Sequence, residues 1–237
     1  MYRIVFVEDD AAIGRLIADF LSRHDMSVHI EPRGDTALAV IEAQQPDLVM
    51  LDIMLPGLDG LSVCRELRPR FNGPIVMLTA LDSDMNQILG LELGANDYIL
   101  KTTPPAVLLA RLRVQLRASR PQETSATPAP NLRSRALQFG ALRIDPESRD
   151  GRLQDERIVL STADFDLLWE LATHAGQVLN REQLFRALRG IDYDGLDRSI
   201  DVAISRLRRK LHDDTENPQR IKTVRQRGYL LAPNAWQ

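Results

Sequence analysis

Four short apolar runs in this sequence each end on polar side chains that could take part in phosphoryl transfer or metal binding. Glu8, Asp9 and Asp10 follow the first run, Asp52 follows the second, and Thr79 and Lys101 end the other two. A carboxylate can accept a phosphoryl group, while a hydroxyl and a compact ammonium can each bind a phosphoryl oxygen. This set of residue types is suited to a transient aspartyl phosphate.

A divalent cation is expected beside these acids. Three carboxylates in one pocket repel one another unless a cation joins them. Oxygen ligands suit Mg²⁺, which takes one or two carboxylates and keeps several waters. Lys101 is also the sole lysine among residues 1–118, where every other basic residue is an arginine. The sequence therefore predicts a magnesium site with a lysine beside it.

Strands and helices alternate through the first half of the chain, and they must position these side chains. The apolar periods predict strands at 2–7, 26–30, 48–51, 75–78 and 98–100, and helices at 12–24, 36–43, 61–67, 85–93 and 107–116. This alternation indicates an α/β fold with a five-stranded parallel sheet covered on both faces. The carboxyl ends of parallel strands share one edge, where ligands of such folds bind. Each polar residue alone would most often be structural, but their common position at this edge favours a site.

Four motifs of this half occur in the order found in a known family. VFVEDD, LVMLDIMLPGLDG, IVMLTA and GANDYILK together resemble the receiver domain of response regulators, a flavodoxin-like fold. The resemblance implies that Asp52 is the phosphoacceptor and that Thr79 and Lys101 bind the phosphoryl oxygens. It also implies a set of metal ligands and a switch residue: Glu8 through water, Asp9, Asp52 and the Met54 carbonyl for Mg²⁺, and Tyr98 as the aromatic that turns inward on activation.

The residues after Lys101 depart from the family pattern. Receiver domains usually have a proline next, joined by a cis bond, whereas this chain has Thr102 and Thr103. A non-proline cis bond costs about 2.5–4 kcal/mol. A trans bond is therefore favoured, and the way in which Lys101 is held stays open.

Composition divides the chain into two domains and a connector. Residues 1–118 carry 11 basic and 16 acidic residues, whereas 119–237 carry 19 and 17, so the second part is better suited to a polyanion. The segment 119–135 contains three prolines and no apolar period, which predicts a flexible linker. No apolar run approaches the ~20 residues of a membrane span, and Cys64 is the one cysteine. These features predict a cytoplasmic protein with no membrane span and no intramolecular disulfide.

The second domain, 136–237, is predicted to be α+β. LQF, LRI, RLQ and IVL indicate a small antiparallel sheet, and Ser161 with Asp164 indicates the start of the first of three helices. In the third helix, apolar residues recur at helical spacing on one side. The opposite side carries Arg198, Val202, Ser205, Arg206 and Arg209. An exposed face with cations, a hydroxyl and an apolar tip is suited to a DNA major groove.

Motifs of this second domain resemble the winged-helix DNA-binding domain of the OmpR/PhoB family. They are LSTADFDLLWEL, RSIDVAISRLRRKL and IKTVRQRGYLL. The resemblance implies binding to direct repeats in double-stranded DNA, with Arg206 at base edges and Arg225 in the minor groove. Phosphate contacts are implied at Arg198, Ser199 and Arg208, and Arg227 belongs to the same basic hairpin. The helical pattern by itself centres the groove face nearer Ser205 and Arg209, and the loop 190–196 would face RNA polymerase.

Together these resemblances imply a transcriptional regulator that a sensor histidine kinase activates by phosphorylating Asp52. The fourth helix, fifth strand and fifth helix of the receiver would then form a homodimer. Cross-dimer ion pairs are expected between Asp97 and Arg111 and between Glu92 and Arg113. A further ion pair of the family maps to Gln87 and Val107 and is missing here, which predicts a weaker or more apolar dimer.

Two other function classes share part of this pattern. Aspartate-nucleophile phosphohydrolases use a DxD motif whose second acid donates a proton, but here Met54 stands two residues after Asp52. A regulator that works without phosphate would not need Asp9, Asp52 and Lys101 together. Both alternatives are less well supported than a phosphate-controlled regulator.

Overall fold

The computed structural model describes residues 1–81, 83–119, 136–189 and 199–236. The chain forms two compact units, Met1–Ser119 and Arg120–Gln237. The predicted linker lies outside the described residues except for Ser119, so its flexibility stays a prediction. None of the helices in the described part of the chain has the length and apolar character needed to cross a lipid bilayer.

The first unit contains the predicted alternation of five strands and five helices, with some element ends shifted. Its strands are β1 (Tyr2–Val7), β2 (Met26–Glu31), β3 (Leu48–Leu51), β4 (Ile75–Thr79) and β5 (Asp97–Leu100), and its helices are α1 (Ala11–Ser22), α2 (Gly34–Gln44), α3 (Gly60–Leu67), α4 (Asp84–Glu92) and α5 (Pro105–Ser119). The strands pair in parallel in the order β2-β1-β3-β4-β5. The predicted parallel α/β sheet is confirmed.

Burial explains why the central strands are continuously apolar. Every residue of β3 and β4 is buried, because helices cover both faces of the sheet. Alternate residues of β3 join different apolar clusters: Val49 and Leu51 lie in one, and Leu48 and Met50 in the other. Burying one such side chain contributes about 1.5–3 kcal/mol. This two-sided core holds the carboxyl ends of the strands in place.

The loop after β3 needs glycine for two different reasons. Gly57 has φ +83°, and a Cβ there would also lie 2.4 Å from the carboxyl carbon of Asp35. At Gly60 a Cβ would lie 1.8 Å from the Asp52 carbonyl oxygen. The loop that follows Asp52 is therefore packed closely against its surroundings, which makes its backbone a firm support for that residue.

The second unit consists of a small sheet, three helices and a hairpin. Its elements are β6 (Leu137–Phe139), β7 (Leu142–Asp145), β8 (Asp150–Leu153), β9 (Glu156–Ile158), α6 (Thr162–Thr173), α7 (Arg181–Arg189), α8 (Ser199–Lys210), β10 (Ile221–Val224) and β11 (Gly228–Leu231). Strands β6 to β9 pair antiparallel in chain order, and β10 pairs antiparallel with β11. One apolar cluster joins the sheet, the helices and the hairpin. The predicted α+β arrangement with a C-terminal hairpin is confirmed.

Candidate functional site: an acidic pocket and a basic helix face

Three of the polar residues predicted at the strand ends of the first unit are in direct contact. Lys101 Nζ lies 2.7 Å from Asp52 Oδ2 and 2.7 Å from Glu8 Oε2. The residues follow β5, β3 and β1, so the parallel sheet brings together side chains that are far apart in sequence. Asp52 is further held by its Oδ1, which accepts a hydrogen bond of 2.6 Å from the Ile53 amide.

The electrostatics of this pocket depend on the lysine. Burial raises the pKa of Glu8, although the hydrogen bond and charge of Lys101 oppose that rise. For Lys101, burial would lower the pKa, but hydrogen bonds to Asp52 and Glu8 outweigh it and raise the pKa. The ammonium is therefore charged at neutral pH and offsets the repulsion between the two carboxylates.

The acids also form a group that fits a divalent cation. One carboxylate oxygen from each of Glu8, Asp9 and Asp52 lies within 4.8 Å of the others. Asp9 is exposed, whereas Glu8 and Asp52 are buried, so the group opens to solvent on one side. Hard oxygen ligands with room for water suit Mg²⁺. Met54 lies in the loop after β3 with its side chain exposed.

Asp10, the third acid after β1, has a different role from its neighbours. Its Oδ1 accepts hydrogen bonds from the amides of Ala12 and Ile13, which caps the N-terminus of α1. The sequence run of three acids is therefore divided between a helix cap and the pocket. This division follows from the direction in which the chain leaves the sheet.

Thr79 and Tyr98 both contact the same residue of the loop after β4. Thr79 is fully buried, and its Oγ1 accepts a hydrogen bond of 3.3 Å from the Leu81 amide. The Tyr98 hydroxyl donates to the Leu81 carbonyl at 2.6 Å, and the ring is buried. The structure thus has Tyr98 in an inward orientation, with Leu81 linking it to Thr79.

The peptide bond after Lys101 has the conformation expected for a non-proline residue. The Lys101–Thr102 peptide is trans. Lys101 nevertheless contacts Asp52 through its ammonium, and its amide donates a hydrogen bond to the Thr79 carbonyl at 2.8 Å. A following proline is not needed to place this lysine.

One of the two ion pairs predicted across a dimer forms within the single chain. Asp97 is only 1% exposed and accepts hydrogen bonds from Arg111 of its own chain, with Nε at 2.8 Å from Oδ2. Arg111 of α5 thus pairs with Asp97 within one chain, and a cross-dimer pairing of these residues stays a prediction. Glu92 is partly buried, and Arg113 is exposed.

The predicted DNA-binding residues of α8 fall into two groups. Ser205 is partly exposed and Arg209 is exposed, as the helical pattern predicted. The prediction of an exposed position is wrong for Val202 and Arg206, which are both buried, and Arg208, predicted at a phosphate, is buried too. Ser199, predicted at a phosphate, is buried as well.

The two buried arginines are held by neighbouring elements on opposite sides of α8. Arg206 Nε donates to Asp164 Oδ1 of α6 at 2.7 Å. Arg208 donates through Nε and Nη2 to the Ile221 carbonyl, at 3.0 Å and 2.7 Å, and through Nη2 to Thr223 Oγ1 at 2.8 Å. A helical pattern treats the side opposite the core as solvent, but here α6 and the hairpin cover part of it.

The hairpin β10–β11 presents the other predicted DNA-binding residues. Arg225 and Arg227 are exposed at its turn. An open groove of about 410 Å³ lies at its base, with a further exposed cation, Lys222, in its lining. Sequence reasoning did not select Lys222, although its place two residues after Arg220 in the basic hairpin was a usable signal. Arg198 and the loop 190–196 lie outside the described residues.

A second hydrogen-bonded group ties the start of α8 to the hairpin. The Tyr229 hydroxyl donates to Asp201 Oδ1 at 2.6 Å, and Arg181 Nε of α7 donates to the same oxygen at 2.7 Å. Burial, then the hydrogen bond to Asp201, raise the pKa of Tyr229 to about 12. The phenol is therefore neutral over the physiological range and remains a donor.

Comparisons with known proteins agree with both units. The family described as "Response regulator receiver domain" matches residues 4–113, and the family described as "Transcriptional regulatory protein, C terminal" matches residues 155–231. The chain is 62% identical, over all of both sequences, to the transcriptional regulatory protein RstA of Escherichia coli K12. This full-length match to a transcriptional regulator decides against the phosphohydrolase alternative.

Two solved structures are similar as well. The RstA DNA-binding domain of Klebsiella pneumoniae, solved in complex with the RstA box, is 61% identical and covers 42% of this chain and 98% of its own, with a TM-score of 0.41. The response regulator DrrB of Thermotoga maritima, an OmpR/PhoB homologue, is 30% identical and covers 98% of this chain and 99% of its own, with a TM-score of 0.50. On the full-length sequence identity and the two family matches, this chain belongs to the OmpR/PhoB family of response regulators, transcriptional regulators that join a receiver domain to a DNA-binding domain.

Proposed function

We propose that Asp52 is the residue through which this regulator is switched, and that an RstB-like sensor histidine kinase supplies the phosphoryl group. The observation that carries the proposal is the 2.7 Å contact between Lys101 Nζ and Asp52 Oδ2 beside Glu8 and Asp9. Asp52 attacks phosphorus, the P–N bond to the kinase histidine breaks, and a P–O bond to the aspartate forms. The imidazole leaves with its electron pair.

Residues of this chain stabilise the product. Glu8, Asp9, Asp52 and the Met54 carbonyl would hold Mg²⁺, which when bound neutralises charge on the phosphoryl oxygens. Lys101 binds one phosphoryl oxygen. Thr79 can donate its hydroxyl proton to another, because that hydroxyl accepts from the Leu81 amide and its own proton is not used by this bond. Leu81 links this change to Tyr98.

The surface formed by α4, β5 and α5 would then pair with its copy, as such symmetric interfaces do. Met85 and Leu89 of α4 are exposed, at 71% and 43%. They supply apolar area next to Gln87, where the family's ion pair is missing. We therefore infer a homodimer with a more apolar contact, in which Glu92 and Arg113 form a cross-dimer ion pair.

Dimerisation would place two DNA-binding domains on direct repeats and raise their effective concentration there. Arg209 and Ser205 face the major groove, and Arg225 and Arg227 of the hairpin contact the minor groove or its phosphates. The proposed DNA-binding set is completed by Arg198, Ser199, Val202, Arg206 and Arg208. Its buried members are held by neighbouring elements, so they would either contact DNA from the positions they already occupy or support the residues that do. The regulator would act in the cytoplasm, with the loop 190–196 facing RNA polymerase.

The test is DNA affinity at fixed salt, with and without a small-molecule phosphoryl donor, on a duplex carrying the RstA box and on a scrambled duplex. Wild type should bind the RstA box more tightly after phosphorylation, whereas Asp52→Ala should not respond. Asp19→Ala is a matched control, because Asp19 is an exposed aspartate of the same domain. An equal response of wild type and Asp52→Ala to the donor would contradict the proposal.

A further inference from the structure

Asp164 of α6 forms ion pairs with two basic side chains of α8, the helix that we propose enters the DNA major groove. Its Oδ1 accepts from Arg206 Nε at 2.7 Å, and its Oδ2 accepts from Lys210 Nζ at 2.7 Å. Arg206 and Lys210 lie about one helical turn apart, so a single carboxylate spans a full turn of α8. No sequence motif had assigned Asp164 a role beyond starting α6.

The carboxylate is itself held rigidly. Asp164 is 1% exposed, and its Oδ2 accepts from the Ser161 hydroxyl at 2.8 Å and from the Ser161 amide at 3.2 Å, which completes the cap of α6. Lys210 also donates to the Val159 carbonyl at 2.8 Å. The contact therefore joins the first turn of α6, the segment before it and the last two turns of α8.

Charge keeps this cluster intact. Burial alone would raise the pKa of Asp164, but Arg206 and Lys210 hold it below the ordinary range of an aspartate. The carboxylate therefore stays ionised at all physiological pH values. An ionised acid with two charged partners makes hydrogen bonds about twice as strong as neutral ones.

This attachment determines the direction in which the rest of α8 points. Successive residues of a helix are rotated by about 100°, so the mean direction of residues 205 and 209 lies about a quarter turn around the helix axis from that of 206 and 210. Of these two residues, Arg209 is exposed and Ser205 is partly exposed. Fixing Arg206 and Lys210 against α6 therefore fixes the rotation of the groove-facing residues about the helix axis.

We propose that Asp164 is a positioning residue for sequence recognition: acting through Arg206 and Lys210, it sets the rotation of α8 in the DNA major groove. The inference rests on the proposed function of this domain in DNA binding. Base readout depends on placing donors at base edges within a few tenths of an ångström, whereas phosphate contacts tolerate more displacement. Loss of Asp164 should therefore affect discrimination between sequences more than binding to DNA in general.

The test compares Asp164→Asn with Asp166→Asn in the full chain. Asp166 is a matched control, because it is an acid of the same helix that pairs with an arginine, Arg149, at 2.6 Å, and that arginine belongs to the β7–β8 turn rather than to α8. Both variants remove one negative charge, so any general gain in attraction to DNA is the same in both. Dissociation constants are measured on the RstA-box duplex and on a scrambled duplex at temperatures where thermal unfolding shows each protein to be folded.

Wild type should discriminate between the two duplexes. Asp164→Asn should lower the ratio of the two affinities by about tenfold, the size of one disrupted base contact, while Asp166→Asn should leave it within about twofold. An unchanged ratio in Asp164→Asn, or equal losses in both variants, would overturn the inference. Failure of wild type to discriminate would instead overturn the proposed function, so the two failures are distinguishable.

A second variant covers the case in which Asp164→Asn does not fold. Lys210→Met removes one of the two cations that pair with the Asp164 carboxylate, while the unbranched methionine side chain preserves the packing of the lysine methylenes. The Lys210 side chain is 29% exposed. A smaller loss of discrimination in the same direction supports the inference. Full discrimination by Lys210→Met, together with unfolded Asp164→Asn, would show that Asp164 serves stability alone.

Discussion

The Lys101 ammonium lies 2.7 Å from Asp52 Oδ2, so the proposed phosphoacceptor is already paired with a cation in the unphosphorylated protein. The same ammonium contacts Glu8, which is fully buried. A new phosphoryl group would therefore compete for a lysine that two carboxylates share. We therefore expect the charge balance of the pocket to change with both metal and phosphate.

Lys101→Ala should destabilise the first unit by about 3 kcal/mol, because it leaves two buried carboxylates without their cation. Added Mg²⁺ should restore part of that loss by taking over the neutralisation. Urea unfolding followed by far-UV circular dichroism, with and without Mg²⁺, measures both effects. Arg113→Ala, which removes an exposed cation of the same unit, is the control. Equal midpoints for Lys101→Ala and wild type would contradict the prediction.

Arg111→Ala should affect mainly the stability of the first unit, whereas Arg113→Ala should affect mainly dimerisation. Removal of Arg111 takes the guanidinium away from the buried Asp97 carboxylate and should cost about 3 kcal/mol of stability. Removal of the exposed Arg113 should change stability by less than about 0.5 kcal/mol and should weaken the dimer formed with a phosphoryl donor. Unfolding curves and sedimentation give the two quantities. A stable Arg111→Ala would show that Asp97 does not depend on its own chain for a partner.

Arg208→Ala and Arg209→Ala separate a supporting arginine from a contacting one. Arg208 donates to the hairpin carbonyl of Ile221 and to Thr223, so its loss should lower stability by about 1–3 kcal/mol. The exposed Arg209 should be nearly neutral for stability, but its loss should reduce the salt slope of DNA binding by about 1. Thermal unfolding and affinities at several salt concentrations test the pair. The reverse pattern would reverse the two roles.

The ion cluster of Asp164 predicts a pH dependence with a definite sign. A pKa lowered on folding means that the unfolded chain binds the proton more tightly, so the stabilisation is complete above the ordinary value near 3.8 and is lost as the pH falls below it. The difference in free energy of unfolding between wild type and Asp164→Asn should be constant from about pH 8 to about pH 5 and should shrink in more acidic solution. Trp169 and Trp236 both lie in the second unit, so tryptophan fluorescence reports its unfolding. A difference that grows on acidification would contradict the assignment of this carboxylate.

Local patterns in the sequence were sufficient for the elements and for the acidic pocket. Apolar periods and turn residues predict where β1, β3 and β5 end, and the parallel topology then requires Glu8, Asp52 and Lys101 to meet at one edge. The same reasoning could not tell that Asp10 caps α1 while Asp9 joins the pocket. That distinction depends on the path of the backbone after β1.

By itself the sequence determined the two-domain plan, the parallel sheet and the residues of the pocket, because periodicity and the order of motifs are properties of the chain. Only the tertiary structure decided which side of α8 is accessible to solvent, because Arg206 and Arg208 are buried by α6 and by the hairpin, and α6 is distant from them in sequence. It likewise paired Asp97 with Arg111 of the same chain. Arginines that are equivalent in a helical pattern differ once packing removes some of them from water. In α8 this burial separates Arg206 and Arg208 from the exposed Arg209.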